Sequence, residues 1–298
     1  MRIYFLILAT GLLFFSCGSK KEKPQEKEAT EVLDEVEEEI PDEAIDTLET
    51  MVEETTGTPS LYQQFSSNRD SILQLLPTLS KEQANALYTA YKEANYKLIA
   101  KITDRESKIL ERFYHEHDSD KSKIQNLEYT FREHLLEFDE MGEGYVEIKT
   151  KPNFYYSLFK DYVTPDYKQY LYLKSEENIK RYSADAGLMI SFKEIGDRIL
   201  SWEKFLSNFP DSPLFKEVKA DYLYYQKDYL LGLDNTPTLE TTGKGSPYIY
   251  EENQLEFARF INTYPDSPTT PLIAFFLNNY QTEPRGKLIQ EEQKRLYP

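Results

Sequence analysis

Phe205-Leu206-Ser207-Asn208-Phe209-Pro210-Asp211-Ser212-Pro213 returns 55 residues later as Phe260-Ile261-Asn262-Thr263-Tyr264-Pro265-Asp266-Ser267-Pro268. Trp202 and Phe257 match at the same offset. Apolar positions shared together with turn residues indicate one supersecondary unit used twice. In the first copy Ile195, Ile199, Trp202, Phe205 and Phe209 form a helical stripe; in the second, Phe257, Phe260 and Tyr264 do so. Each stripe stops at a proline, which would lose an amide hydrogen bond and clash with the preceding turn if the helix continued. Ser212 or Ser267 is then expected to cap a return helix with Pro213 or Pro268 at its first position, and Thr270-Pro271 offers a rival cap in the second copy. The return helices present Phe215, Val218, Tyr222, Tyr225 and Tyr229, then Leu272, Phe276 and Tyr280. A helical hairpin with apolar residues on both faces cannot hide them alone, so neighbouring hairpins should stack.

Upstream of the duplication the chain also reads as helices. Its 11 glycines are few for 298 residues, and prolines fall mostly between periodic segments. Ser80-Lys81-Glu82-Gln83 has the form of a capping box, and behind it Ala84, Leu87, Tyr91, Ala94, Leu98, Ile102, Ile109 and Phe113 recur at helical spacing, predicting one helix over 81–113. Ile124, Leu127, Phe131, Leu135 and Phe138 predict a second helix, expected to pair with the first as a hairpin around 115–120. Residues 61–76 predict a shorter helix before Pro77. Tyr145-Val146-Glu147-Ile148 alternates like a short strand, but an ordered connector over 142–151 is the preferred reading over a small sheet. Thr164-Pro165 predicts an N-cap and the start of a helix running to 182. The expected class is all-α with at most a minor β element, arranged as a helical region over 60–140, a connector with helices over 141–190 and stacked hairpins over 191–298.

Phe209-Pro210-Asp211-Ser212 and Tyr264-Pro265-Asp266-Ser267 resemble the turn of tetratricopeptide-like (TPR-like) repeats in periplasmic lipoproteins, including the outer-membrane-assembly lipoproteins. That resemblance implies stacked helical hairpins acting as a scaffold. The family's small alanines are replaced by Phe215 and Val218, then by Thr270 and Ile273, and the period is 55 rather than about 34 residues. The surplus length falls in 233–250, a turn-rich insertion containing Asp234-Asn235, Thr236-Pro237, Thr241-Thr242-Gly243 and Gly245-Ser246-Pro247. Either it is an ordered binding loop ending in Tyr248 and Tyr250, or it is a disordered spacer.

At the N-terminus Arg2 precedes an apolar run over 3–15, too short to span a bilayer, that reads as a signal peptide over 1–16. The only cysteine, Cys17, follows Ser16 and precedes Gly18-Ser19. This segment resembles the lipobox of bacterial lipoproteins, in the looser form of the Bacteroidota. The resemblance implies cleavage before Cys17, acylation of Cys17 with fatty chains such as palmitate, and attachment to the outer membrane on its periplasmic or its surface side. The competing reading is a secreted protein with a stray cysteine. Residues 17–59 are charged and poor in aromatics and read as an acidic tether, with Val32, Val36 and Ile40 spaced for transient helical turns. An export or partner signal is the alternative role. Residues 20–54 alone hold 4 basic and 15 acidic residues of a chain whose net charge is -17. With no basic block to neutralise phosphates, nucleic-acid binding is excluded.

No constellation of residues announces a reaction. The zinc-protease spacing is absent from His115-Glu116-His117, no glycine-rich phosphate loop or Gly-x-Ser-x-Gly turn occurs, and His134 reads as a flank of the packing stripe. No catalytic residue, metal ligand or cofactor is assigned. The 24 tyrosines instead suggest recognition, because pairs such as Tyr170 with Tyr172 and Tyr222 with Tyr224 cannot all face one core. Tyr170, Tyr172, Tyr224, Tyr248 and Tyr250 are therefore the candidate binding residues, while Trp202, Phe205, Phe209, Phe257, Phe260 and Tyr264 are assigned to repeat packing. The expected function is noncovalent binding of an envelope protein, with membrane contact only through the N-terminal lipid. Glycan binding or processing is the second reading.

Overall fold

A computed structural model describes residues 60–241 and 245–297. The segments read as a signal peptide (1–16) and an acidic tether (17–59), Cys17 included, and Thr242 and Gly243 of the insertion lie outside the described residues. Ten α-helices dominate the described residues, joined by short antiparallel strand pairs, so the all-α expectation holds.

Helix α1 (Leu61–Leu75) opens on a capping box between Ser60 and Gln63 and ends in a 3-10 turn, Leu76–Thr78, whose Pro77 needs no amide partner. Helix α2 (Lys81–Leu110) starts where its capping box predicts: the Gln83 amide donates to Ser80 Oγ at 3.1 Å and the Ser80 amide donates to Gln83 Oε1 at 3.0 Å. Its buried stripe includes Ala84, Leu87, Tyr91, Leu98 and Ile102. The helix stops three residues short of Phe113, in a turn.

Helix α3 (Asp118–Glu133) is shorter than its apolar spacing suggests. Leu135 adopts a φ of 58°, which ends the helix, and Leu136 and Phe138 belong instead to β1 (Leu136–Gly142). That strand pairs antiparallel with β2 (Tyr145–Thr150), with Phe138 opposite Ile148 and Glu140 opposite Val146. The preferred connector reading of 142–151 is thus overturned by a β-hairpin. Val146 and Ile148 are buried on one face of the ladder, as strand alternation requires. Helices α2 and α3 do pack on each other as expected, but neither alone covers the other's stripe: β2 and α1 also pack on α2, and Phe138 fills the space between Phe113 and Phe131, 4.8 Å from each ring.

Helix α4 (Phe154–Phe159) and helix α5 (Pro165–Ile179) follow. Thr164 stands at the N-cap of α5 as predicted, but its side chain does not cap the helix. Its hydroxyl accepts from Asn85 Nδ2 at 2.8 Å and donates to Asp166, binding α5 to α2. The helix ends at Ile179 rather than 182.

The duplicated units are helices α6 (Phe192–Asn208) and α7 (Phe215–Leu231), then α8 (Glu251–Thr263) and α9 (Thr269–Asn279). Helix α6 packs on α5, α7 and α8, and α7 packs on α9, so the hairpins stack. The final helix, α10 (Arg285–Leu296), lies against α7 and α9. The two turns agree in backbone geometry, with Phe209 at φ -132°, ψ 59° and Tyr264 at φ -128°, ψ 59°. They agree in packing too, the Phe205–Phe209 and Phe260–Tyr264 ring pairs standing 5.2 and 5.3 Å apart. Trp202, Phe205, Phe257 and Phe260 are buried, and Phe209 and Tyr264 half-buried.

The predicted caps are displaced. The return helices begin at Phe215 and Thr269, after the prolines, and neither has a side-chain cap. Ser212 and Ser267 act one step earlier, each accepting the amide two residues on, from Leu214 at 3.2 Å and from Thr269 at 3.1 Å. Each serine also donates to a carboxylate on a neighbouring helix, Ser212 to Asp166 of α5 and Ser267 to Glu203 of α6. Thr270 is not the rival cap, since its hydroxyl donates back to the Tyr264 carbonyl at 2.7 Å.

Candidate functional site

The insertion grows from the end of α7. Gly232 ends that helix at φ 71°, where a Cβ would come within 2.1 Å of the Thr236 carbonyl oxygen, so only glycine fits. The chain then forms two short ladders, β5 (Gly232–Leu233) with β6 (Thr236–Pro237) and β7 (Leu239–Glu240) with β8 (Tyr248–Ile249). Buried Thr238 fastens them, donating its hydroxyl to Leu230 O at 2.6 Å and its amide to Leu231 O at 3.1 Å, and accepting the Tyr250 amide at 3.0 Å. A second hairpin, β3 (Ser183–Ala184) with β4 (Gly187–Leu188), joins α5 to α6 and docks on the insertion through Asn235 N–H to Ala186 O at 2.9 Å and Leu188 N–H to Thr236 Oγ1 at 2.8 Å. The described part of the insertion is a folded loop, and the spacer alternative does not hold for it.

Beside this loop an open groove of ≈ 450 Å³ runs between α8 and α9, lined by Ile249, Gln254, Ala258, Ile261, Asn262, Leu277 and Tyr280. Gln254 Nε2 donates to the Ile249 carbonyl at 2.9 Å and ties the loop to the groove wall. On the strand that carries Ile249, Tyr248 is 53% exposed, and its ring stands edge-on to Tyr250 at 5.9 Å. Tyr250 occupies the N-cap position of α8, half-buried, and its hydroxyl donates to Glu240 Oε2 at 3.2 Å. Desolvation and the Glu240 carboxylate raise the Tyr250 phenol above its ordinary pKa.

The remaining candidate tyrosines divide. Tyr172 and Tyr224 are exposed. Tyr170 is not a binding residue: it is 1% exposed, packs 6.0 Å from Trp202, and donates its hydroxyl to Glu217 at 2.8 Å. Among the described residues, no hydrogen bond or ring contact links Tyr170, Tyr172 or Tyr224 to Tyr248 or Tyr250, so the structure does not bring the five candidates into direct contact.

A network that the sequence does not reveal lies between the hairpins. Glu203 of α6 accepts from Ser267 at 2.8 Å, Thr269 at 2.6 Å and Tyr222 at 3.0 Å. Gln226 Nε2 donates to Tyr222 Oη at 2.7 Å and to Tyr297 Oη at 2.8 Å, and Gln293 Nε2 of α10 donates to Gln226 Oε1 at 3.0 Å. Burial, then the Glu203 carboxylate, raises the Tyr222 phenol far above its ordinary pKa. Every polar group here meets a partner inside the protein, which makes the network a structural clasp.

The histidines are placed away from the groove. His134 lies 2.6 Å through Nδ1 from Ser66 Oγ and stacks on Tyr62 at 5.4 Å; burial lowers its pKa. No carboxylate hydrogen-bonds to its ring among the described residues, so the pair lacks the orienting acid of a hydrolytic triad. His115 Nδ1 stands 3.7 Å from Asp120. Among the described residues, no group of three or more His, Cys, Asp and Glu is placed to hold a metal ion, and no helix is long and apolar enough to cross a membrane. No family model, no curated protein and no solved structure matches the chain.

Proposed function

We propose that this protein is an exported lipoprotein of the bacterial outer membrane, anchored through acylated Cys17, whose stacked hairpins bind another envelope protein noncovalently. The observation that carries the reading is the open apolar groove beside a folded loop that holds Tyr248 in solvent. A concave, mostly apolar surface with a few fixed polar groups and an aromatic at its edge is the usual make-up of a recognition site. The short apolar leader ending at a single cysteine supports the anchor, since several acyl chains hold far more firmly than one. The outward Tyr248 and Tyr172 rings favour glycan binding as the second reading, because a sugar ring stacks on an exposed aromatic face.

Crosslinking of the anchored protein in intact cells tests the binding. Tyr248→Ala is expected to leave stability within about 0.5 kcal/mol and to weaken capture by about 1 to 2 kcal/mol. Tyr250→Ala should weaken capture similarly, with some loss of loop order because the Tyr250–Glu240 hydrogen bond is lost. Capture that survives glycan removal and fails after proteolysis of the partner identifies a protein; the opposite result identifies a glycan. For the anchor, mass analysis of the membrane fraction is expected to find an N-terminus at Cys17 carrying acyl mass, and Cys17→Ala should abolish it.

A further inference from the structure

We infer that the α8–α9 groove seats an amphipathic helix of the protein partner, in the place that a third hairpin of the stack would occupy. The inference rests on the protein-binding reading and gives it a mode. The duplication itself shows what covers such a face. At the offset of 55, groove residues Gln254, Ala258, Ile261 and Leu277 correspond to Ile199, Glu203, Leu206 and Tyr222. In the first copy that face lies under the second hairpin. Ile199 is fully buried, Gly196 sits where a Cβ would meet Phe260 at 3.3 Å, and Glu203 and Tyr222 both contact Thr269. In the second copy the same face has no cover among the described residues: Gln254 and Ala258 are exposed, and Ile261 and Leu277 are half-exposed. Helix α10 does not line the groove, because it turns back onto α7 and α9.

The differences between the copies specify the chemistry of the occupant. Glu203 demands hydroxyl donors from its cover and receives them from Ser267 and Thr269. Ala258 stands in its place and removes that demand, and Leu277 replaces the Tyr222 hydroxyl. The partner helix therefore presents an apolar stripe with residues three and four apart, its edges within reach of the Gln254 and Asn262 amides.

The experiment places a photoreactive benzoylphenylalanine at exposed Asn262 in the full-length protein, in intact source cells, and maps the crosslinked peptide. A synthetic copy of the mapped segment is then titrated into the purified full-length chain. The expected result is a segment of another protein with helical apolar spacing that gains helicity on binding and binds Ala258→Arg at least tenfold more weakly at unchanged melting temperature. Gln254→Arg, also solvent-facing, serves as the second variant. Crosslinks confined to residues 17–59 of the same chain, crosslinks to a glycan, no crosslink at all, or equal binding by wild type and both variants would each overturn the inference. If Tyr248→Ala loses the partner while both groove variants keep it, the helix mode fails and the protein-binding reading stands. If all these variants capture every partner as wild type does, both fail.

Discussion

The two turns at Pro210 and Pro265 share backbone angles, ring packing and a serine that both accepts an amide and donates to a carboxylate, yet the helices they join live in different surroundings. The α6 face is sealed by α8 and α9 through a carboxylate clasp, whereas the corresponding α8 face is open and has lost the carboxylate. A repeated unit keeps the residues that make its turn and varies the residues that meet its neighbour. Local geometry is thus a property of each hairpin, and what distinguishes the two copies is what the outer face meets.

The comparison breaks first at its aromatics. Phe205→Ala and Phe260→Ala are each expected to cost about 3 to 5 kcal/mol, read by denaturant unfolding, because both rings are buried in equivalent positions. A much smaller loss at Phe260 would show that the second hairpin, open on one side, collapses into the cavity more readily. Next in size is the clasp. Glu203→Ala removes the acceptor for Ser267, Thr269 and Tyr222 and should cost about 1 to 3 kcal/mol, while Ala258→Ser at the corresponding open position should fall within about 0.5 kcal/mol. Equal effects would mean that the two faces do not differ as described.

The smallest effect concerns how α6 starts. Lys180 and the Ser191 cap hold the Glu194 carboxyl down at about 2 from its ordinary 4.5. A carboxyl depressed in the folded state binds fewer protons than in the unfolded chain, so its contribution is complete above pH 4.5 and fades as pH falls toward 2. Glu194→Gln should flatten the acid limb of the stability curve in that window. The α8 start, where Tyr250 supplies no side-chain cap, offers no such dependence at the matching position.

The repeat was legible because its turn is written in residue types with few alternatives: a proline after an aromatic, then aspartate, serine and proline. The long helix α2 was legible from its capping box and its spacing. Strand β1 was hidden because Leu135 and Phe138 satisfy a helical period, and only the positive φ of Leu135 breaks it. Tyr170 was misread because its burial depends on Glu217, 47 residues away, and on Trp202. The groove itself carried a faint signal. Ile199 against Gln254 and Glu203 against Ala258 change polarity at the repeat offset, which marks one face as meeting something different, without saying whether that face is covered.

The return of α10 onto α7 changes how the chain must assemble. Tyr222 hydrogen-bonds with Tyr297 across 75 residues, and Gln226 with Gln293 across 67. In an open array each unit can form as soon as its neighbour exists. Here the Tyr222 phenol finds Glu203 and Gln226 within the first hairpin, but the buried Gln226 side-chain oxygen waits for Gln293, which follows the second. Synthesis from the N-terminus therefore leaves the Gln226 side-chain oxygen without its donor until α10 emerges, and the first hairpin is completed last of all rather than unit by unit.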